Sequence, residues 1–296
     1  MVLMPFSHSI VLRHMPELLD ACVSSATQLG KPLLLDGLGD VEYPIPMEHT
    51  FVLRYGGYLF EKKPYEIHIP PYSDDLLEIY FAGEQTLRKK SEVPVVGFAG
   101  WGTLSLKQKM RSIAKELPDR LHGLYDSRYL AKKKGVFFRA EAIDRLESSS
   151  AVKANILRRT SYSGHADTVV GKAELVRQEF VDNLLQSDYG LDVRGDGNAS
   201  TRLFEMLSLG CIPVIVDTER NFPFSGELDY AEFSLIVDFR EISTLPERIA
   251  EFHRTVTEEQ FADMQRKARE AYLSYFRVDR VMPHIIQELQ AMLRTR

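Results

Sequence analysis

Apolar residues recur at helical spacing over residues 10–29, with Leu18, Leu19, Cys22, Val23 and Ala26 on one face, and Gly30 stops the run. Residues 32–35 then read as a short buried strand ending at Asp36-Gly-Leu-Gly-Asp40, and residues 51–55 and 65–69 read as two more. Pro70-Pro-Tyr-Ser-Asp-Asp75 is a rigid turn before a short helix over 76–81. Residues 94–102 form a strand running into a glycine-rich turn, and 104–117 an amphipathic helix. Lys132–Lys134 reads as a solvated face, and residues 148–150 as a loop or cap. Beyond them the pattern predicts a helix over 170–186, a buried strand over 212–216, an irregular loop around Pro223 and a strand over 234–237. Helices over 245–254, 258–275 and 278–294 close the chain. Such alternation predicts parallel sheets covered by helices. A boundary at 91–93 gives three parts: an N-terminal domain over 1–92, a domain over 93–277 whose opening strand, glycine turn and helix suit nucleotide binding, and a terminal helix over 278–296.

The chemistry concentrates where Arg194-Gly-Asp-Gly-Asn-Ala-Ser-Thr-Arg202 leads into a helix that Gly210 stops. Unpaired N–H groups and the helix dipole favour an anion there, and glycines allow close approach to the backbone. Arg194 and Arg202 add forked donors suited to phosphate oxygens. Glu205, three residues past Arg202, shares its face and suits ribose hydroxyls as an acceptor. The residues alone leave three readings open. One is a nucleotide-diphosphate site. A second is NAD-type binding, since Gly195-x-Gly197-x-x-Ser200 approaches the dinucleotide fingerprint and Asp217 falls about twenty residues on. The third is plain capping by Asn198 or Ser200, with Arg202 solvated.

Five stretches in order resemble the exostosin-like glycosyltransferases of family 47: Ser187-Asp-Tyr-Gly-Leu191, Arg194-Gly-Asp-Gly-Asn-Ala-Ser-Thr-Arg-Leu-Phe-Glu205, Leu209-Gly-Cys-Ile-Pro-Val-Ile-Val216, Phe222-Pro-Phe224 and Leu228-Asp-Tyr-Ala-Glu-Phe233. Weaker similarity reaches upstream through Val95-Val-Gly-Phe-Ala-Gly100 and Ile69-Pro-Pro-Tyr-Ser-Asp-Asp75. The wording is similar to that of compact bacterial and viral members. The resemblance implies a GT-B fold of two facing Rossmann-like α/β domains, with a terminal helix that crosses back in many members. It also implies an inverting transferase that moves xylose, galactose or glucuronic acid from a UDP-sugar to a hydroxyl of a glycan carried on lipid or protein. The donor set expected is Arg158, Arg194, Gly195, Gly197, Asn198, Ser200, Arg202 and Glu205, with Arg159 as a further cation. For the base, Asp75 leads and Asp74 is its neighbour, either of which suits a helix cap equally well. His8, Asp36 and Asp40 rank below them at predicted strand ends, and His68 and His165 read as structural. Trp101 and Tyr72 suit stacking on a sugar.

Composition narrows the alternatives. The net charge of −5 argues against a general nucleic-acid binder. The two cysteines, Cys22 and Cys211, lie in apolar stretches without metal-ligand spacing and read as free thiols. No two aspartates are separated by a single residue, so arginines and a helix dipole are expected to do the work of a divalent ion. Catalysis is therefore expected without a metal or other cofactor. The opening Met-Val-Leu-Met-Pro-Phe-Ser-His8 has neither a basic leader nor a long apolar run, which predicts a cytoplasmic protein without an integral membrane segment. An NAD-linked oxidoreductase and a non-catalytic exostosin-like partner subunit are the competing functions.

Overall fold

The computed structural model describes residues 1–38, 46–103, 105–159 and 173–294. Two sheets organise it, and every strand pair within them is parallel. The first runs β1 (Val2–Ser7), β2 (Leu33–Asp36), β3 (Thr50–Arg54), β4 (Glu66–His68) in simple sequence order. Helices α1 (His8–His14) and α2 (Pro16–Leu29) connect β1 to β2 and pack Val11, Leu19 and Ala26 against Leu33 and Leu35. Pro16 breaks what the periodicity reads as one helix, because its ring fits the first turn of a helix and no later position. Gly30, at φ 58°, ends α2 in the left-handed region.

The second sheet comprises β5 (Val95–Trp101), β6 (Lys153–Arg159), β7 (Tyr189–Val193), β8 (Ile212–Asp217) and β9 (Leu235–Asp238), in the order β6-β5-β7-β8-β9. The chain leaves β5 for one side and returns to its other side at β7. The strand order therefore reverses between the carboxyl ends of β5 and β7, where open α/β sheets leave a ligand crevice. Around this sheet lie α6 (Gly135–Ser148), α7 (Ala173–Leu185), α8 (Thr201–Ser208), α9 (Leu245–Thr255) and α10 (Glu258–Ala271). Between β5 and α6 the chain inserts α4 (Leu106–Lys115) and α5 (Leu117–His122). α3 (Leu76–Phe81) follows the first sheet but packs Leu76 and Leu77 against Met206, Leu209 and Cys211 of the second unit. Cys211 is buried and Cys22 half-buried, and both are free thiols.

An apolar cluster joins the two units: Phe51 and Ile67 of the first sheet meet Leu203 and Phe204 of α8. The last helix, α11 (Val278–Arg294), adds Ile285 and Leu289 to that cluster and touches β4. Together the two parallel sheets make the α/β architecture that the resemblance implies.

Candidate functional site

Arg202 stands on the first turn of α8, beside the carboxyl end of β5. Its guanidinium lies 4.2 Å from the Phe98 ring centroid and 5.3 Å from that of Phe180, and it donates to the Ala99 carbonyl at 2.9 Å. Gly100 makes the approach possible, since a Cβ there would stand 2.5 Å from an Arg202 nitrogen. Among the described residues Arg202 forms no ion pair. Burial pushes its pKa down; Glu205 and Asp192 oppose this, while Arg159 and Arg177 push the same way. Ser200 leaves α8 without a side-chain cap, because its hydroxyl donates to buried Asp192. The first-turn N–H groups and Arg202 thus converge at the strand-order reversal.

Two more arginines flank Arg202. Arg177 on α7 donates to Glu205 at 2.7 Å and lies over the Phe180 ring at 5.6 Å. Arg159 at the end of β6 donates to Glu179 at 2.8 Å. Trp101 caps β5, with its indole N–H on the Thr103 carbonyl at 2.6 Å and the Lys134 ammonium 5.3 Å from its ring centroid. Of these three arginines only Arg202 has no carboxylate partner among the described residues, and the half-buried Trp101 ring stands at the same strand ends, in register with Arg159.

Several expected ligands do other work. Arg194 turns inward and is 1% exposed. It donates to the carbonyls of Asp196 at 3.0 Å and Ala131 at 2.7 Å, and also to that of Lys133. It is an internal staple for the glycine turn and leaves the donor set, because those bonds aim its fork at main-chain carbonyls. Asn198 is also buried: its amide donates to the carbonyls of Gly57 and Thr218 at 3.0 Å each, and its oxygen accepts from the Thr218 hydroxyl. Gly195 and Gly197 belong to a turn packed under Gly135 and flanked by Gly56, where added Cβ atoms would stand 2.1 Å from the Gly195 oxygen and 2.7 Å from the Asn198 oxygen. Those contacts close on the turn's carbonyls, while Asp196 stays exposed and the space beside Gly195 is open. Arg158 is withdrawn as well, since it pairs with Asp144 at 2.6 Å and Glu147 at 2.8 Å on α6. Glu205 accepts from Arg177 through Oε1 and forms no ion pair with Arg202 among the described residues.

The two aspartates part company. Asp75 caps α3 through the Glu78 N–H at 3.2 Å and takes both arms of Arg269, at 2.6 and 3.0 Å. Both Asp75 oxygens are thus taken up within the fold, so Asp75 holds α3 to α10 and does not stand free to meet an acceptor hydroxyl. Asp74 accepts from the Tyr72 hydroxyl at 3.1 Å, stands 3.8 Å from Arg177, and leaves 47% of its side chain exposed. Asp36 accepts from the Leu38 N–H, and His8 is buried at the start of α1. Asp40 and His165 lie outside the described residues.

His68 is the surprise. It ends β4, is 3% exposed, and among the described residues neither ring nitrogen has a hydrogen-bond partner. Burial pushes its pKa down to about 4, with Lys62 and Arg54 adding to the effect. Its Nε2 and the Asn221 amide nitrogen, also without a partner among the described residues, both face Gly57, standing 3.1 and 3.3 Å from where a Gly57 Cβ would be. Nothing in the spacing around His68 signals this, because Asn221 arrives from the other unit. Arg177 was equally hidden, its place depending on how α7 docks.

Residues 114–252 match the Exostosin GT47 domain family model, and that stretch holds the whole of α6 through β9. An exostosin-1 homolog of Caenorhabditis elegans is 28% identical over 115 residues, which make up 38% of this chain and 29% of the worm protein. Two solved structures are similar to the chain at a low level. A glycosyltransferase of Rickettsia africae ESF-5 has a TM-score of 0.41 at 11% identity, over 96% of this chain and 76% of that one. TarM has a TM-score of 0.40 at 9% identity, over 93% and 58%.

Proposed function

We propose, from the exostosin-type stretch over 114–252, that the protein is an inverting glycosyltransferase that takes a sugar from a UDP-sugar and delivers it to a glycan hydroxyl. The carrying observation is Arg202, which has no carboxylate partner among the described residues and sits between two aromatic rings at the β5–β7 reversal. In this reading the diphosphate lies against Arg202, Arg177, Arg159 and the uncapped start of α8. Prearranged donors of this kind stabilise the charge that builds on the leaving diphosphate and are worth several kcal/mol in a site that excludes water. Arg202 brings a charge that no carboxylate offsets among the described residues, and Arg177 and Arg159, each held by a glutamate, add donors beside it; in this reading they take the place of a divalent ion. Trp101 offers a stacking face to the base or the sugar.

Asp74 takes the proton of the acceptor hydroxyl. It is the carboxylate that remains solvated, beside Arg177 and within reach of the same face of α8. General-base assistance of this kind contributes roughly a hundredfold to ten-thousandfold. Xylose, galactose and glucuronic acid are the donor sugars to try, and a glycan borne on lipid or protein is the acceptor class. The proposed setting is the cytoplasm; among the described residues no helix is long and apolar enough to cross a membrane.

The test is UDP release from UDP-xylose, UDP-galactose and UDP-glucuronic acid in EDTA, with and without oligosaccharide acceptors. Acceptor-dependent release with one donor supports the reading. Binding of NADH in place of any UDP-sugar would reassign the crevice to an oxidoreductase.

A further inference from the structure

α4 is a helix without a buried side. Its capping box at Ser105 and Gln108 shows that it is built to be helical, yet none of its residues is buried. At 100° per residue Leu106, Met110 and Ile113 fall within about a 60° arc, with Lys107 on one flank and Lys109 on the other. Leu106 is 75% exposed and Met110 65%. The apolar row continues onto α5 through exposed Leu117 and Leu121 and ends beyond it at Leu124, 77% exposed, and Tyr125. A contiguous apolar strip of this kind on a water-facing surface marks something that covers it.

Charge selects the cover. Residues 105–115 carry four cations, Lys107, Lys109, Arg111 and Lys115, and no acid, in a chain whose net charge is −5. The acids that follow are engaged: Glu116 is buried and takes Arg120 at 2.8 Å, and Asp119 faces Lys132 at 4.0 Å. A second copy of the chain, docked about a two-fold axis, would press this cationic strip against itself. A bilayer bearing negative headgroups instead accepts the apolar row at its acyl boundary. The flanking lysine stems then run outward to the phosphates, and Tyr125 suits the interface.

We propose that the α4–α5 insertion docks the protein on an anionic phospholipid surface. The insertion leaves the second sheet at the carboxyl end of β5, the end that also carries Arg202. All but the last two residues of α4 precede the family-matched stretch, while α5 lies inside it. The inference is also independent of the donor-site reading and stands or falls separately from it.

The experiment is co-sedimentation of the full chain with vesicles of phosphatidylcholine alone and of phosphatidylcholine mixed with phosphatidylglycerol. Binding to the mixed vesicles alone is expected. Lys107→Ala with Lys109→Ala should bind about thirtyfold more weakly, at the stabilisation each near-surface cation supplies. Leu106→Ser with Met110→Ser should stay in the supernatant while its melting temperature is unchanged, since neither side chain is buried. The proposal is overturned if the wild type binds neither vesicle, if it binds both alike, or if the serine variant sediments like the wild type. A wild-type dimer in light scattering that the serine variant dissolves would also overturn it, by showing that a second copy covers the strip.

Discussion

The ion pair between Asp75 and Arg269 ties the segment after the first sheet to α10, at a site where the two side chains are only 15% and 9% exposed. Removing the acid leaves a guanidinium without its partner, which for a buried pair costs about 3–5 kcal/mol. Asp75→Asn is therefore expected to lower thermal stability at the upper end of single substitutions, whereas Asp74→Asn keeps its melting temperature and loses transfer. Equal activity in Asp74→Asn would remove it as the base. His68 gives a separate prediction, readable by denaturation against pH. Its pKa falls from an ordinary 6.5 to about 4 on folding. Between those values the unfolded chain binds more protons, so this residue's contribution to stability is intact above pH 6.5 and is lost as pH falls to 4. The loss is about 3 kcal/mol when complete, and His68→Gln should remove that part of the acid sensitivity.

The start of α6 meets the glycine turn so closely that a Cβ on Gly135 would stand 2.1 Å from the Gly195 oxygen and 2.5 Å from the Arg194 oxygen. Gly135→Ala must push the helix off the turn, an overpacking expected to cost about 1–3 kcal/mol in chemical denaturation. At this scale much of the fold is written in the chain: the strands of residues 50–54, 95–101 and 212–217 and the helices 173–185 and 245–255 fall within a few residues of their periodic patterns. Five elements escaped, α5 and β7 besides three with plain physical reasons. β1 carries Pro5, which an edge strand tolerates but which argues against a strand in sequence. β6 ends in Arg158-Arg159 and reads as polar surface until β5 pairs with it. α6 buries Val136, Phe138, Arg139 and Ile143 around much of its circumference, so no apolar stripe announces it. In the site Arg202 was legible because it sits beside its own helix start. Arg194 misled for a physical reason, since an arginine next to a glycine turn can bind that turn's carbonyls as readily as a phosphate. Asp75 misled because Arg269 stands 194 residues away in sequence.

Across the whole molecule, the two sheets meet through an apolar cluster rather than a bare cleft, and the strap at residues 55–59 reinforces the join. The Leu59 N–H donates to the Glu219 carbonyl at 2.7 Å, and Tyr58 bridges Arg220. α11 closes the same cluster with Leu289, 3% exposed. Leu289→Ala should cost about 2–5 kcal/mol and, because the cluster spans both units, should lower one cooperative transition instead of splitting it into two. The central claim is that Arg202 receives a nucleotide diphosphate at the strand-order reversal. Calorimetric titration of UDP in EDTA, into the wild type and into Arg202→Gln, tests it most directly. Loss of charged hydrogen bonds worth about 1.5–3 kcal/mol predicts binding without divalent ions in the wild type and affinity at least tenfold weaker in the variant. Unchanged UDP affinity in Arg202→Gln would contradict the account.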